Sequence, residues 1–401
     1  MPRLFAVPDL DLDDHAAIAG VHQMRADLAS VLRAPRRWQG GLRKTSQARA
    51  IQGSNSIEGY SVSTQDAAAA VEDEAPLTAD QKTWAEILGY RRVLTYVLNV
   101  ATLPGFLIDE ATLKALHFML LEHDLRKGPG QYRQRAIYVR DDIRDVTVYE
   151  GPDSDDVPAL MASLVESLER YRDADPLVRG ALAHLNLVMI HPFRDGNGRM
   201  ARALQTMTLA QDDVIEPVFS SIEEWLGANT TDYYRVLAAT GQGSWHPEND
   251  AHLWVKFNVR AHHMQAQTLR RRFDEAERTW VALDELTALH KLPDRVANLL
   301  FEAFLGLRVQ RSTYIKHTNL EKRTATRDLA QLTDRGLLDA VGQTRGRYYV
   351  AGDELRELRA PTRPARRPVD DPFPGLMDQI PRVPVQTART VTAEPHEGGA
   401  G

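Results

Sequence analysis

The stretch His191-Pro192-Phe193-Arg194-Asp195-Gly196-Asn197-Gly198-Arg199-Met200-Ala201-Arg202 carries the densest chemistry in the chain. An apolar run at helical spacing (Leu182, Leu185, Val188, Met189) delivers His191 to a helix end, where Pro192 stops propagation. Gly196 and Gly198 permit unusual backbone angles, so that successive N–H groups turn inward as an anion-binding nest. A helix expected immediately afterwards adds its N-terminal donors and dipole to the same place. Arg199 and Arg202, three apart on that helix, share a face. Two guanidinium forks beside a nest point to a polyphosphate. Asp195 is a hard oxygen ligand placed for Mg²⁺, which takes few protein ligands plus phosphate oxygens and water. His191 has the ordinary pKa that suits a general base near neutrality. Each piece alone has an ordinary explanation as a helix cap, a turn or a solvated face; their conjunction in one loop does not.

Upstream, Trp84, Ile87, Leu88, Tyr90, Leu94 and Val97 predict an amphipathic helix from Asp80 that ends before Pro104, and a second starts after Asp109 and runs until KGPGQYR. Residues 136–150 read as a β-hairpin, with Ile137–Val139 and Val146–Tyr149 flanking a charged turn. Helical spacing returns over 157–171, 176–190, 199–211, 229–239 and 249–282. The lead segment is polar and helix-leaning, with helices near Asp13 and Gly41 and Pro35 as the breaker between them. The fold class is therefore mainly α with a β-hairpin.

The twelve-residue stretch matches, at every specified position, the signature His-Pro-Phe-x-Asp/Glu-Gly-Asn-Gly-Arg-x-x-Arg, and the chain resembles the Fic family from about residue 40 to 265. Ala201 stands where the family often has glycine. The resemblance implies a Fic-type helical core and transfer of AMP from ATP, with Mg²⁺, to a protein hydroxyl. By position it implies that His191 deprotonates the hydroxyl, Phe193 anchors the loop and Asp195 binds Mg²⁺. It implies further that Asn197 and the neighbouring backbone of Gly196 and Gly198 hold phosphates, and that Arg199 and Arg202 grip the β and γ groups. The 136–150 hairpin falls where the family carries a flap that registers a protein target by strand addition. Tyr233 and Tyr234 are candidates for adenine stacking, with Trp254 a lesser one. A different nucleotide or phosphate-containing donor stays open, because the loop reads phosphates and not the base.

By itself Ser54-Asn55-Ser56-Ile57-Glu58-Gly59 is a helix end, with Ile57 as apolar anchor and Gly59 as stop. Upstream of such a loop it resembles the family's inhibitory motif, Ser/Thr-x-x-x-Glu-Gly/Asn, which implies a brake formed by Ser54, Glu58 and Gly59. Tyr60 departs from the polar residue common after it. A Glu58–Arg202 pair would withhold that arginine from the γ-phosphate.

Four segments are expected: a helical lead over 1–80 with the brake, the catalytic domain over 81–283, a unit over 284–360, and a disordered Pro-, Arg- and Gly-rich tail over 361–401. The third resembles a winged helix-turn-helix. Between Arg308 and Arg347, nine basic residues face four acidic ones, so DNA is a candidate partner through Thr324, Thr326 and Arg327 in the groove and Arg345 and Arg347 on phosphate. That leaves a second reading, a DNA-binding regulator whose phosphate loop serves as a nucleotide sensor. With 49 basic and 55 acidic side chains the whole chain has no field that would draw it to nucleic acid or anionic membrane. The absence of cysteine excludes disulfides and thiolate chemistry. No apolar run suits a signal peptide or a membrane span, so a cytoplasmic protein with no membrane partner is expected, and a homodimer is left open.

Overall fold

The computed structural model describes residues 3–141, 145–211, 216–343, 346–363, 368–380 and 388–392. The chain is mainly α, as the hydrophobic spacing predicts. Helices α1 (Leu12–Leu32), α2 (Gln39–Ile57) and α3 (Thr64–Val71) precede α4 (Gln81–Val100) and α5 (Glu110–Leu121). The hairpin β1 (Ile137–Asp141) and β2 (Val146–Glu150) leads to α6 (Val157–Arg170), α7 (Pro176–Ile190) and α8 (Asn197–Ala210). Then come α9 (Glu223–Ala228), α10 (Thr230–Gly241) and the long α11 (His252–Leu289). Helix starts obey local chemistry: Asp80 accepts from the Thr83 N–H at 2.7 Å and Asp109 from the Thr112 N–H at 2.7 Å.

Helices α7 and α8 sit at the centre, and α7 is buried along nearly its whole length, which is why its sequence is apolar on every face. One core fills the space between α2 to α6 and these two helices; a second joins α1, α7, α10 and α11. A third core unites the start of α2, the far half of α11 and the C-terminal elements. Those elements are α12 (Ala297–Phe304), α13 (Arg311–Thr318), α14 (Lys322–Asp334), the hairpin β3 (Leu338–Val341) and β4 (Tyr348–Ala351), α15 (Asp353–Glu357) and α16 (Arg359–Thr362).

Three expectations about organisation are corrected. The boundary at 283/284 falls inside α11, whose Phe273, Trp280 and Leu283 build the core of the C-terminal unit. A continuous helix shared by two cores leaves no hinge there. The lead segment is not a separate body either, since Ala48 and Ile51 of α2 are wholly buried in the core with α4. The tail is not disordered over 368–380. Phe373, Leu376 and Ile380 are buried against α10 and α11, Asp371 pairs with Arg260 at 2.7 Å, and Arg235 donates to the Met377 and Ile380 carbonyls. A composition poor in apolar residues still docks where its few apolar side chains meet a ready-made surface. A final strand, β5 (Ala388–Thr392), pairs antiparallel with β1, giving the order β2-β1-β5. Residues 142–144 of the expected hairpin turn and the tail residues 364–367, 381–387 and 393–401 lie outside the described residues, as does Arg345. No helix among the described residues is long and apolar enough to cross a membrane.

Candidate active site

Helix α7 ends at Ile190, and His191 takes a left-handed conformation (φ 52°, ψ 56°) while its N–H closes the last turn on the Leu187 carbonyl at 3.0 Å. A non-glycine residue there is uncommon and is held by its surroundings. Arg133 supplies the hold: its Nε donates to the His191 carbonyl at 2.8 Å and its Nη2 to the Pro152 carbonyl at 2.6 Å, tying the loop to the base of the hairpin. Nδ1 of His191 lies 2.9 Å from the Val188 carbonyl, which can only accept, so that nitrogen carries the proton and Nε2 is the basic one. Burial pushes the imidazole down to about 4, keeping it neutral at pH 7.

Phe193 is fully buried and stacks on His117 with centroids 3.7 Å apart. Gly130 donates its N–H to His117 Nδ1 at 2.8 Å, so Nε2 carries the proton and donates to the Asp195 carbonyl at 3.0 Å. Asn197 corrects its expected role. Its side chain accepts from the Phe193 N–H at 2.9 Å and donates to the Phe193 carbonyl at 2.8 Å, so it pins the loop, and the backbone alone is left for an anion. The two glycines also differ. Gly196 has φ +79°, and a Cβ there would meet Leu120 at 2.8 Å. Gly198 has ordinary helical angles, and what it provides is space: a Cβ would lie 2.5 Å from Glu58 Oε1.

The brake candidates converge on this loop. Glu58 caps α2, Gly59 comes next with φ +83°, and Glu58 Oε1 accepts from Arg202 Nη2 at 2.6 Å. Ser54 accepts from Arg202 twice, through Oγ at 2.8 Å and its carbonyl at 2.9 Å. A carboxylate thus rests over the first turn of α8, where dipole and free N–H groups favour an anion. Arg202 is buried, and its Nη1 has no hydrogen-bond partner among the described residues.

Arg199 points elsewhere. It pairs with the buried Glu86 and lies under the Tyr60 ring, 5.6 Å from its centroid. Glu86 also holds Lys127 at 2.8 Å and His123 at 3.3 Å. Burial opposes its ionisation, yet the hydrogen bond from His123 and the Arg199 and Lys127 cations outweigh burial and hold it well below the usual carboxylate range. Lys127 bridges from Glu86 to Asp195 Oδ2 at 2.7 Å. Glu86, Lys127, His117 and Arg133 are site residues that sequence reasoning missed; each is brought in from a distant element, and the GQYR run offered a faint signal for Arg133 alone.

An open pocket of about 810 Å³ lies above the loop. Its lining includes Glu58, His191, Gly196, Gly198 and Arg202, together with Val139 and Tyr149 of the hairpin. Tyr233 and Tyr234 both border it. Tyr233 is 1% exposed and lies 2.9 Å through its hydroxyl from His184, whereas Tyr234 donates to the Ile57 carbonyl at 3.0 Å, fastening α2. Trp254 is wholly core, with its indole N–H on the Ala181 carbonyl at 2.7 Å.

Residues 107–209 match the Fic/DOC family. Over 207 residues, 49% of the chain, the sequence is 27% identical to the protein adenylyltransferase Fic of Nematostella vectensis, and it is 30% identical over 164 residues to that of Drosophila mojavensis. These alignments span 44% and 30% of the relatives' own lengths, so the chain covers less than half of either. Among solved structures, a Fic family protein from Desulfovibrio desulfuricans G20 superposes with a TM-score of 0.55 over 86% of this chain and 98% of its own, at 23% identity. A fragment of Fic-1 from C. elegans gives 0.51 over 64% and 71%, at 20% identity. The helical architecture with its hairpin is thus the Fic fold, and the chain carries a Fic/DOC domain.

Proposed function

We propose that the chain is a protein adenylyltransferase that transfers AMP from ATP to a hydroxyl of a protein, restrained by its own α2. The observation that carries this reading is the Glu58 carboxylate seated on Arg202 at the first turn of α8: an anion of the chain itself stands where a phosphate of the donor would bind. The names of the relatives supply the reaction class, and the geometry supplies its parts. His191 Nε2 takes the proton of the attacking hydroxyl. The backbone of Gly196 and Gly198 and the unpartnered Nη1 of Arg202 receive phosphate oxygens. Attack at the α-phosphorus in line with the leaving pyrophosphate then needs positioning and charge stabilisation more than covalent chemistry.

Magnesium fits this donor set. Asp195 is a single carboxylate beside the expected phosphates, partly exposed, and Mg²⁺ ordinarily takes one or two carboxylates with phosphate and water making up the rest. Asp195 would hold it once the Lys127 ammonium turns aside. The ion would neutralise charge on the phosphates. Arg199, fixed by Glu86, contributes positive field at the same end of the loop.

Inhibition arises from competition for Arg202. While Glu58 is docked, it holds Arg202 Nη2 and covers the helix N-terminus, and a triphosphate must settle with its α-phosphorus out of line. Release of α2 by a partner, ligand or oligomer raises activity by its differential affinity for the two states. The decisive experiment incubates wild type, Glu58→Gly and His191→Ala with labelled ATP. Labelling of protein is expected to rise at least about tenfold in Glu58→Gly, since loss of a charged hydrogen bond shifts the equilibrium by ~1.5–3 kcal/mol. It should vanish when His191 is also replaced. Equal labelling by wild type and Glu58→Gly would remove the brake, and no labelling by either would remove the reaction.

For the C-terminal unit we read three helices and a hairpin as a winged helix with Arg323, Arg327, Lys316 and Arg347 exposed and available to phosphate. Arg308 does not belong to that face, because it is buried in a pair with Glu74. A DNA probe shift that weakens steeply with salt supports this partner; a shift absent even at low salt rejects it.

A further inference from the structure

A second cavity, of about 1480 Å³, opens where α2 and α11 meet the C-terminal unit. It shares no lining residue with the pocket above the phosphate loop. Helix α2 contributes Arg49, α11 contributes Arg272 and Thr279, and the segment after β4 contributes Arg356, Arg359 and Arg363. Five arginines thus line the wall, against the two carboxylates of Glu275 and Glu357. Exposed arginines often form no more than a solvated face, so the partners of each decide what this cavity can do.

The arginines divide into engaged and open ones. Arg272 grips Glu224 by two bonds, at 2.6 and 2.7 Å, and Arg49 reaches the same carboxylate at 3.2 Å. One carboxylate therefore serves two guanidinium groups. Burial, and then the Arg272 charge beside it, hold Arg49 below the ordinary arginine range. Arg49 Nε is buried and has no hydrogen-bond partner among the described residues. Arg356 is turned to Asp339 and Asp353. Arg359 donates to the Phe304 carbonyl at 2.6 Å, and neither it nor Arg363 has a carboxylate partner among the described residues.

Thr279 adds an observation of a different kind. It is wholly buried, it lines the cavity, and its hydroxyl has no partner among the described residues. A helical threonine ordinarily donates to the carbonyl four residues back, as Thr268 does on the same helix at 3.1 Å. Buried polar groups are nearly all paired. Two orphaned groups from two helices in one cavity mark a place for a ligand rich in acceptors.

We propose that this cavity binds a small polyanion bearing phosphoryl groups, with Arg49, Thr279, Arg359 and Arg363 as its donors. Ionised phosphoryl oxygens accept and do not donate, and guanidinium forks match their geometry. The donors come from three separate elements around a wide space, so a ligand with more than one phosphoryl group engages them together where orthophosphate does not. The inference is independent of the transferase reading, because no residue of the phosphate loop takes part.

The test is calorimetric titration of the full-length protein with tripolyphosphate in the absence of Mg²⁺. Wild type is compared with Arg363→Glu, Thr279→Val and, as a control of equal charge change, Arg323→Glu on α14, outside the cavity. Arg363 and Arg323 are both exposed, so neither substitution opens a core. Arg363→Glu is expected to weaken binding at least about tenfold and Thr279→Val about threefold, whereas Arg323→Glu changes it less than about twofold. Thr279→Val carries a second readout. Removing an orphaned hydroxyl leaves the Tm of the ligand-free protein unchanged or raised, while the gain in Tm on adding tripolyphosphate shrinks. Unchanged binding in both cavity variants would put the anion on the phosphate loop, and equal weakening by Arg323→Glu would reduce it to general charge. Either result overturns the proposal, as does no binding by wild type. A sugar bisphosphate as a second probe separates the sources: its tighter binding assigns an organic ester, and tighter binding of tripolyphosphate assigns an inorganic chain.

Discussion

At the scale of single residues, the site depends on small differences in what neighbouring glycines and polar groups must do. Gly196 is needed for its positive φ and for the space toward Leu120, so both strain and overlap result from its replacement. Gly196→Ala is expected to cost about 2–4 kcal/mol, the sum of a left-handed penalty and local overpacking. Urea denaturation measures it, and a loss under about 0.5 kcal/mol would contradict the loop geometry. Arg202 illustrates a second point. Its Nη2 and Nε are satisfied by Glu58 and Ser54 while Nη1 stays bare, so the buried guanidinium is stable enough to wait and incomplete enough to bind. Removing Glu58 therefore lowers stability as it raises activity, and added Mg·ATP should raise the Tm of Glu58→Gly more than that of wild type.

At the scale of elements, α2, the restraining helix of the proposed brake, is tightly specified by its contacts. Its Gly53 crosses α9 so closely that a Cβ would collide with the Glu223 carbonyl. Tyr234 holds its last carbonyl, and Lys44 near its start bonds Glu72 at 3.0 Å and Glu302 at 3.1 Å. Gly53→Ala must push α2 off α9, which both destabilises the fold by about 1–3 kcal/mol and unseats Glu58. Labelling with ATP should rise severalfold, with the melting temperature lowered. A variant that melts lower with no gain in labelling would show that α2 moves without releasing Arg202. The same contacts join α2 to the C-terminal unit, since Glu302 belongs to α12.

For the molecule as a whole, pH is the informative variable. His117 and His191 are pushed by burial to about 4, His184 to about 3, and His262 well below its ordinary value. All four lie below the unfolded value near 6.5, so on acidification the unfolded chain takes up protons first. Their contribution is complete above about pH 6.5 and is lost as pH falls from there toward 4. Melting temperature should therefore drop by several degrees between pH 7 and pH 5, and His184→Gln should flatten that slope. A melting temperature constant across this range would show that the histidines are not buried as described.

Much of this architecture was legible in the sequence because its causes are local. The spacing of Leu182, Leu185, Val188 and Met189 dictates a buried helix, Asp80 and Asp109 cap the helices that start after them, and the loop from His191 to Arg202 carries its own glycines and donors. Partnerships across long separations were not legible. Nothing near Glu86 in the chain foretells Lys127 and Arg199, nothing near His117 foretells Phe193, and the β-branched strand of a proline-rich tail gives no sign of where it pairs. Local spacing settles helix ends and backbone freedom within a few residues, where sterics and hydrogen bonding act. Which charge meets which, and which strand covers an edge, depends on burial that exists only once distant segments have packed.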